Sequence, residues 1–213
     1  MAGMSDINFN QLRSTDENYI RLETIKLANK ILCDFTAELP IFKVWDIIDH
    51  LTLADADGQK VETTRHTIQS RFSKKYLGRA KGVSVCSLIA NHVPVNAKVI
   101  GLNEHESHHL YDLVYNNETN IDIDLVTGDN HSINQLNFVA LDVIDVGFVP
   151  SIKNIRAEAE KLYSTDDPKN YSGLITPVGK IDVALIKSQK RGILRILLSL
   201  IMQENTQSVI IKK

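Results

Sequence analysis

The sequence predicts an α/β fold in which helices pack on a mixed β-sheet of five strands. Apolar residues recur at helical spacing near the N-terminus, and strand-like apolar runs follow between residues 50 and 125. Helix-like segments then alternate with the later runs. The expected order is a helix, then β-β-β-α-β-α-β, then further helices, which is typical of a layered α/β architecture.

The first predicted element is an amphipathic helix over residues 15–37. Ser14 and Glu17 have the spacing of a capping box, in which a hydroxyl and a carboxylate satisfy free amides at a helix start. Apolar residues then follow at steps of three or four, and Pro40 ends the helix. We therefore predict an N-terminal helical segment over residues 1–45, ahead of a sheet domain over residues 46–213.

The first half of the sheet is predicted from three runs. Residues 50–57 form the first strand, Gly58 ends it, and the polar and basic residues 59–82 form an excursion from the sheet. Residues 83–92 and 95–101 are strand-like, with a Val-Pro turn or edge feature between them. A helix is expected next, over roughly residues 104–116.

The second half alternates strands and helices. Ile121, Ile123 and Leu125 alternate with aspartates, which indicates a half-buried strand. We predict a helix after Asp129 as far as Val143, a short strand over residues 146–149 and a helix over residues 153–163. A loop follows over residues 164–179. Residues 180–204 form one helix, or two that are broken near Gly192, and residues 206–213 begin another element.

Composition and charge narrow the function classes. With 213 residues, of which 43% are hydrophobic, the chain can build one core plus an appendage. Basic and acidic residues number 24 and 26, for a net charge of −2, so nucleic-acid binding would have to depend on a local basic patch. One cluster within residues 59–82 suits phosphate contacts, although ordinary solvated charge is an equal interpretation: Lys74, Lys75, Arg79 and Lys81.

The cysteines and the apolar runs bear on localisation. Cys33 and Cys86 lie in apolar segments, which predicts buried, reduced thiols of a cytosolic protein rather than a disulfide. No signal peptide opens the chain, and its most apolar run, residues 193–202, is interrupted by Arg195 and is too short for a membrane span. We expect a cytoplasmic protein without a membrane-spanning segment.

Two aspartates are the strongest functional candidates. Asp57 and Asp129, which lie 129 − 57 = 72 residues apart, each close a strand-like run and open a turn. Carboxylates at the ends of core strands can hold Mg²⁺ and leave positions open for a substrate phosphate. This order suits a ribonuclease-H-like nucleotidyl-transfer core, whose third acid comes later from a helix, but no convincing third acid precedes Lys213. Asp-Gly and Gly-Asp-Asn are also ordinary turn sequences.

Two neighbouring clusters offer weaker alternatives. Asp55 shares a strand face with Asp57 and is a further candidate metal ligand. An EF-hand calcium loop is excluded here, because two of the positions where it needs acidic residues would fall on Leu53 and Thr64. The segment Glu104–His109 lacks the His-Glu-x-x-His order of zinc proteases. His105 with His108 or His109 would suit a zinc hydrolase, and a helix-capping surface role is the simpler interpretation.

Several stretches of the chain together resemble one known protein family: Asp57–Thr63, Ile89–His108, Tyr111–Asn117, Gly128–Phe138 and Thr206–Ile210. The similarity is dense and extends from about Asp6 to the last residue. These stretches resemble the Tn-three (Tn3) family of bacterial transposases, the replicative enzymes of resolvase-bearing transposons.

The resemblance implies a DDE transposase catalytic domain with a ribonuclease-H-like fold, in which two Asp and one Glu hold Mg²⁺ or Mn²⁺. Asp57 matches the first aspartate and Asp129 the second. The catalytic Glu is expected in a helix beyond Lys213, so the domain should be incomplete at its C-terminus and inactive alone. Family members are several times longer and carry DNA-end-recognition regions upstream. Asp55 departs from the small polar residue that is usual in the family.

The implied function is DNA transposition in the bacterial cytoplasm. The full-length enzyme, expected to be a homodimer, would use the metal to cut double-stranded transposon-end DNA and to join it to target DNA. His131 and Asn134 are expected to support the Asp129 carboxylate or to contact DNA phosphate, with helix N-terminal capping as the alternative. The alternative function is a catalytically inactive transposase remnant that binds DNA or transposase at most.

Overall fold

A mixed β-sheet forms the centre of the chain. The computed structural model describes residues 2–47, 50–65, 67–173 and 175–212. Within these ranges the central sheet has six strands: β1 (Leu53–Glu62), β2 (Arg71–Phe72), β3 (Lys81–Ala90), β4 (Val93–Gly101), β5 (Leu125–Gly128) and β6 (Gly147–Phe148). The strands β1, β3 and β4 form an antiparallel meander, and β5 and β6 run parallel to β1.

The spatial order of the five main strands is β4-β3-β1-β5-β6. The additional strand β2 pairs with the first two residues of β3, beyond the end of β4. This curled sheet with helices packed on it is compatible with a ribonuclease-H-like fold, and the predicted mixed α/β class is confirmed.

The helices flank the sheet in sequence order. Within the described ranges they are α1 (Phe9–Tyr19), α2 (Leu22–Glu38), α3 (Lys74–Leu77), α4 (Leu110–Tyr115), α5 (Gln135–Asp142), α6 (Ile155–Ala159), α7 (Val183–Ser188), α8 (Lys190–Ile201) and α9 (Gln207–Lys212). A short parallel pair, β7 (Tyr163–Ser164) and β8 (Gly179–Lys180), brackets the predicted loop. The element predicted to begin within residues 206–213 is helix α9. Lys213 lies outside the described residues.

The predicted single N-terminal helix over residues 15–37 is wrong in its start and its continuity. The chain leaves helical geometry at Ile20, which separates α1 from α2. The helix start also lies earlier than the capping box predicted at residues 14–17. Asn8 and Gln11 form the observed box, with the Asn10 amide donating to Asn8 Oδ1 at 2.9 Å and the Asn8 amide donating to Gln11 Oε1 at 3.2 Å.

Two strand boundaries also differ from prediction. Gly58 does not end β1, which continues to Glu62, so the excursion from the sheet is shorter and contains β2 and α3. The strand predicted at residues 121–125 begins only at Leu125. Ahead of it, the Asp124 carboxylate accepts a hydrogen bond from the Thr52 amide at 2.8 Å, so a side chain replaces one main-chain acceptor there. The two C-terminal helices α7 and α8 separate at Gln189 rather than at Gly192.

The main core lies between the sheet and helices α2, α4 and α5. Its buried residues include Cys33, Ala54, Leu88, Leu113 and Leu141. Both cysteines are buried and free, as expected, and burial raises the pKa of the Cys86 thiol to about 12.

No helix within the described ranges has the length and apolar character that a membrane crossing requires. The division at residues 45 and 46 stays a prediction.

Candidate functional site

Asp57 and Asp129 follow neighbouring positions on two parallel strands. The β1–β5 ladder pairs Ala56 with Gly128, and each aspartate is the next residue along its own strand direction. Since paired residues of a parallel ladder project to the same face, the register brings the two aspartates to one face of the sheet. Both side chains are exposed. On the other side of β1, Ser87 lies opposite Asp57 and lines a cavity of about 280 Å³ beside α2 and β4.

Asp55 belongs to the same acidic face. It lies two residues before Asp57 and pairs with Thr127 in the ladder. Partial burial of its carboxyl raises the pKa of Asp55, and the charges of Asp57 and Asp129 raise it further. Like charges act this way only when they are near each other, so the three carboxyl groups share one electrostatic environment.

The Asp129 carboxylate is oriented by the turn that follows it. The main-chain amide of His131 donates to Asp129 Oδ1 at 2.8 Å. Ser132 closes the turn twice, because its amide and its hydroxyl both donate to the Asp129 carbonyl, at 3.0 and 2.7 Å. His131 thus reaches the carboxylate through its backbone, whereas Asn134 caps α5 by accepting from the Leu136 amide at 2.9 Å.

The residue after Asp57 is a glycine, and a close packing contact on the other face of β1 explains this choice. Gly58 projects to the face of β1 opposite the aspartates, where a Cβ atom would lie 1.9 Å from Glu106 Cδ. The Glu106 carboxylate is held there by Lys60 Nζ and by the Ser84 hydroxyl at 3.3 Å. Glu106, from the loop after β4, therefore comes close to β1 where Gly58 leaves room, and a side chain at position 58 would displace the flexible carboxylate end of Glu106.

The glycine next to Asp129 is constrained in the same way. A Cβ atom on Gly128 would lie 2.6 Å from Ser132 Oγ and 3.0 Å from the Ala56 carbonyl oxygen. Glu106 and Ser132 therefore support the site from the interior, and neither was identified from the sequence. The only signal for them was the glycine beside each aspartate, which indicates a close approach without naming the neighbour.

The basic cluster lies at the end of the β1–β3 hairpin. Lys74 and Lys75 are in α3, Arg79 follows it, and Lys81 begins β3; all four side chains are exposed. The hairpin extends past Asp57 by 62 − 57 = 5 residues to the end of β1. At roughly 3.3 Å per residue this places the cluster about 17 Å from Asp57 along the strand. Because β5 runs parallel to β1, the end of β5 where the Asp129 turn begins points in the same direction as this end of the hairpin.

The histidine segment forms ion pairs. Glu104 accepts from Lys212 Nζ at 2.8 Å and is paired with His109 Nε2 at 3.0 Å, and these contacts, with Lys212 the largest cause, lower the pKa of Glu104 to about 2. Burial lowers the pKa of His109. The described part of the chain contains no group of three or more His, Cys, Asp or Glu side chains arranged to hold a metal ion. A zinc site at His105 or His108 therefore has no full ligand set among these residues, and Asp57 and Asp129 are likewise two carboxylates rather than a group of three.

Comparisons with known proteins identify one family and two curated relatives. A family model described as "Tn3 transposase DDE domain" covers residues 1–213. The transposase for transposon Tn4556 of Streptomyces fradiae is 23% identical over 199 residues, which are 92% of this chain and 22% of that protein. The transposase for transposon gamma-delta of Escherichia coli (strain K12) is 32% identical over 75 residues, 35% of this chain and 7% of that protein. The chain thus spans about a fifth of the first relative's length. No solved structure matches it.

Proposed function

Because the chain belongs to the Tn3 transposase DDE domain family, we propose that Asp57 and Asp129 hold the divalent metal used for DNA cleavage and strand transfer during transposition. The observation that supports this most directly is the β1–β5 register, which brings both carboxylates to one exposed face of the sheet. Double-stranded transposon-end DNA and target DNA are the proposed substrates. The complete enzyme is proposed to act as a homodimer in the bacterial cytoplasm.

The residues fit a hard cation. Carboxylate oxygens are the ligands that Mg²⁺ and Mn²⁺ prefer. Both aspartates are exposed to solvent, where their carboxylates are accessible to a metal ion. A bound metal would supply Lewis-acid stabilisation of charge on a scissile phosphate. Asp55, two residues before Asp57 on the same face of β1, adds a third carboxylate there, and crowded carboxylates favour a cation nearby. The third acid of the family is proposed to come from outside residues 1–213.

The protein's own groups position this centre and the DNA. Asp57 lies within a strand paired on both sides, and the Asp129 carboxylate is fixed by the His131 amide. The exposed cations at the hairpin end, about 17 Å away, would contact phosphates about five base pairs from the cleavage point at 3.4 Å per base pair. Sequence specificity would come from regions outside this chain.

Metal binding can be tested by titrating Mn²⁺ into the 213-residue chain while following backbone amide signals by NMR. We expect paramagnetic broadening to begin around Asp57 and Asp129. D57N and D129N should each need at least about tenfold more Mn²⁺, because even indirect partners of a metal ligand contribute about that factor. D16N, an exposed Asp→Asn change in α1, is the matched control. Equal broadening in all three variants would refute the assignment.

The catalytic expectation is separate. With Mg²⁺ or Mn²⁺, residues 1–213 alone should give little or no joining of transposon-end DNA, because they supply two of the three acids that the family uses. Cleavage and joining products are separated on a gel, with D57N as the comparison. Robust joining that depends on Asp57 would overturn this expectation.

DNA contact by the basic cluster is tested by the salt dependence of binding. Changing the four cations to glutamine should reduce the slope of log K against log salt by up to about 0.9 per lost phosphate contact. A variant with the same charge change at four exposed cations of α7 and α8 is the control: Lys187, Lys190, Arg191 and Arg195. The same loss of slope in both variants would show that only net charge matters.

A further inference from the structure

A buried side-chain amide connects helix α9 to the interior of the domain. Gln207 is the first residue of α9 and has no exposed surface. Its Oε1 accepts from the Tyr111 amide at 2.9 Å, while its Nε2 donates to the Ser107 carbonyl at 3.3 Å and to Asn137 Oδ1. The start of α9 is held as well, because the Gln207 amide donates to Asp112 Oδ1 at 3.1 Å.

A second buried amide continues this connection toward the candidate site. Asn137, in α5, is also fully buried, and its Nδ2 donates to the Ser132 carbonyl at 2.9 Å. Ser132 in turn donates its amide and its hydroxyl to the Asp129 carbonyl, and its side chain contacts the inner face of Gly128. A continuous series of hydrogen bonds therefore extends from Gln207 through Asn137 and Ser132 to Asp129.

The direction of each amide is set by its surroundings. Tyr111 offers an N–H, so the Gln207 oxygen must face it and the Gln207 nitrogen must face the Ser107 and Asn137 oxygens. Asn137 likewise must aim its nitrogen at the Ser132 carbonyl. Reversing either amide would place like groups together in a water-free interior, where an unpaired polar group costs about 1–3 kcal/mol. The series therefore has one low-energy arrangement.

We propose that Gln207 and Asn137 are positioning residues, which fix the Asp129 turn and thereby the direction of the Asp129 carboxylate. Both lie in stretches that carry the family resemblance, Thr206–Ile210 and Gly128–Phe138, and neither touches the carboxylate. The consequence for metal binding rests on the proposed function, whereas the effect on the turn does not. Helix α9 is then part of the site's support through its hydrogen bonds to α4 and α5.

Two isosteric changes each remove one link. Q207E keeps an oxygen for the Tyr111 amide but removes the donor to Asn137. N137D keeps the acceptor for Gln207 but removes the donor to Ser132. Q203E is the matched control, because Gln203 is an exposed glutamine in the same segment, whose Nε2 donates to Asn116 Oδ1 at 2.9 Å. Q207M keeps the length of the side chain and serves if the charged variant fails to fold.

The readout is the exchange rate of the His131 amide proton, measured by saturation-transfer NMR, because this amide donates directly to Asp129 Oδ1. We expect exchange to be about tenfold faster in Q207E, N137D and Q207M, which corresponds to the loss of one buried hydrogen bond. In Q203E it should stay within about twofold of wild type. The Mn²⁺ needed for half-maximal broadening at Asp129 should rise about tenfold in the same three variants.

The outcomes separate the positioning role from its alternatives. Faster exchange at the Tyr111 and Gln207 amides with an unchanged His131 rate would show that Gln207 only docks α9, and would overturn the proposal. Faster His131 exchange together with weaker Mn²⁺ broadening supports it in full. Faster His131 exchange in a chain whose wild type shows no Mn²⁺ broadening at Asp129 supports the positioning role and refutes the proposed metal role of Asp129.

Discussion

A methyl group at Gly128 has no space on the inner side of the Asp129 turn. In Gly128→Ala the new Cβ would lie 2.6 Å from Ser132 Oγ and 3.0 Å from both Ser132 Cβ and the Ala56 carbonyl oxygen. Ser132 cannot rotate away without losing the hydrogen bond from its hydroxyl to the Asp129 carbonyl, and the Ala56 oxygen belongs to the backbone of β1. The turn itself must therefore move.

The size of the effect follows from these contacts. Overpacking of a close-packed interior costs about 1–3 kcal/mol, and loss of the Ser132 hydroxyl bond adds about 1 kcal/mol. The free energy of unfolding should therefore fall by about 2–4 kcal/mol. Gly192→Ala is the control, because no atom lies within 4 Å of a Cβ there and Gly192 is inside helix α8. Alanine should stabilise that helix by about 0.5–1 kcal/mol.

Urea unfolding followed by circular dichroism measures both changes. With a slope m of about 2–3 kcal/mol/M, the midpoint for Gly128→Ala should fall by about 0.7–2 M without a change in slope. Ser132→Gly removes both close atoms of that side chain, so Gly128→Ala should cost at least about 1 kcal/mol less in that background. An unfolding free energy within about 0.5 kcal/mol of wild type, or the same cost in both backgrounds, would refute this account of Gly128.

Three further changes test the surrounding packing and charge. Gly58→Ala should lower the free energy of unfolding by up to about 1 kcal/mol, because a Cβ 1.9 Å from Glu106 Cδ displaces a flexible carboxylate from its partly exposed ion pair with Lys60; the cost should shrink in a Glu106→Ala background, and urea unfolding decides. The pKa of Glu104 is lowered from 4.5 to about 2, so its stabilisation is complete above about pH 4.5 and is lost as the pH falls toward 2; unfolding of Glu104→Gln across that range should depend less on pH, and an unchanged pH dependence would contradict this. Burial raises the pKa of Cys86 to about 12, so a thiol reagent at pH 8 should label it only as fast as the chain opens, and rapid labelling of the folded chain would contradict its burial.

The local sequence predicts which helices and strands form more accurately than it predicts where each one begins and ends. Each aspartate follows a strand-like run, which predicts that the two carboxylates lie at neighbouring strand ends; the β1–β5 ladder ends at Ala56 and Gly128, the residues immediately before them. A glycine after a strand-like run predicts the end of a strand. Gly58 nevertheless lies inside β1, which stays paired with β3 as far as Glu62, and Glu106, 48 residues later (106 − 58), packs against it; no local pattern contains either contact. The capping box was misplaced for a related reason, since Asn8–Gln11 and Ser14–Glu17 have equivalent spacing.

The positions of the aspartates and of the glycines have a common physical cause. Carboxylates gathered on one face repel each other, so they do not hold themselves in place. Their backbone must be held from the opposite face, where Glu106 contacts Gly58 and Ser132 contacts Gly128. A residue with a side chain at either glycine would keep these supports at a distance. The glycines of the Asp-Gly and Gly-Asp pairs are therefore explained by contacts on the opposite face, while Asp129 itself opens a hydrogen-bonded turn, and the support at Gly128 extends through Asn137 to α9.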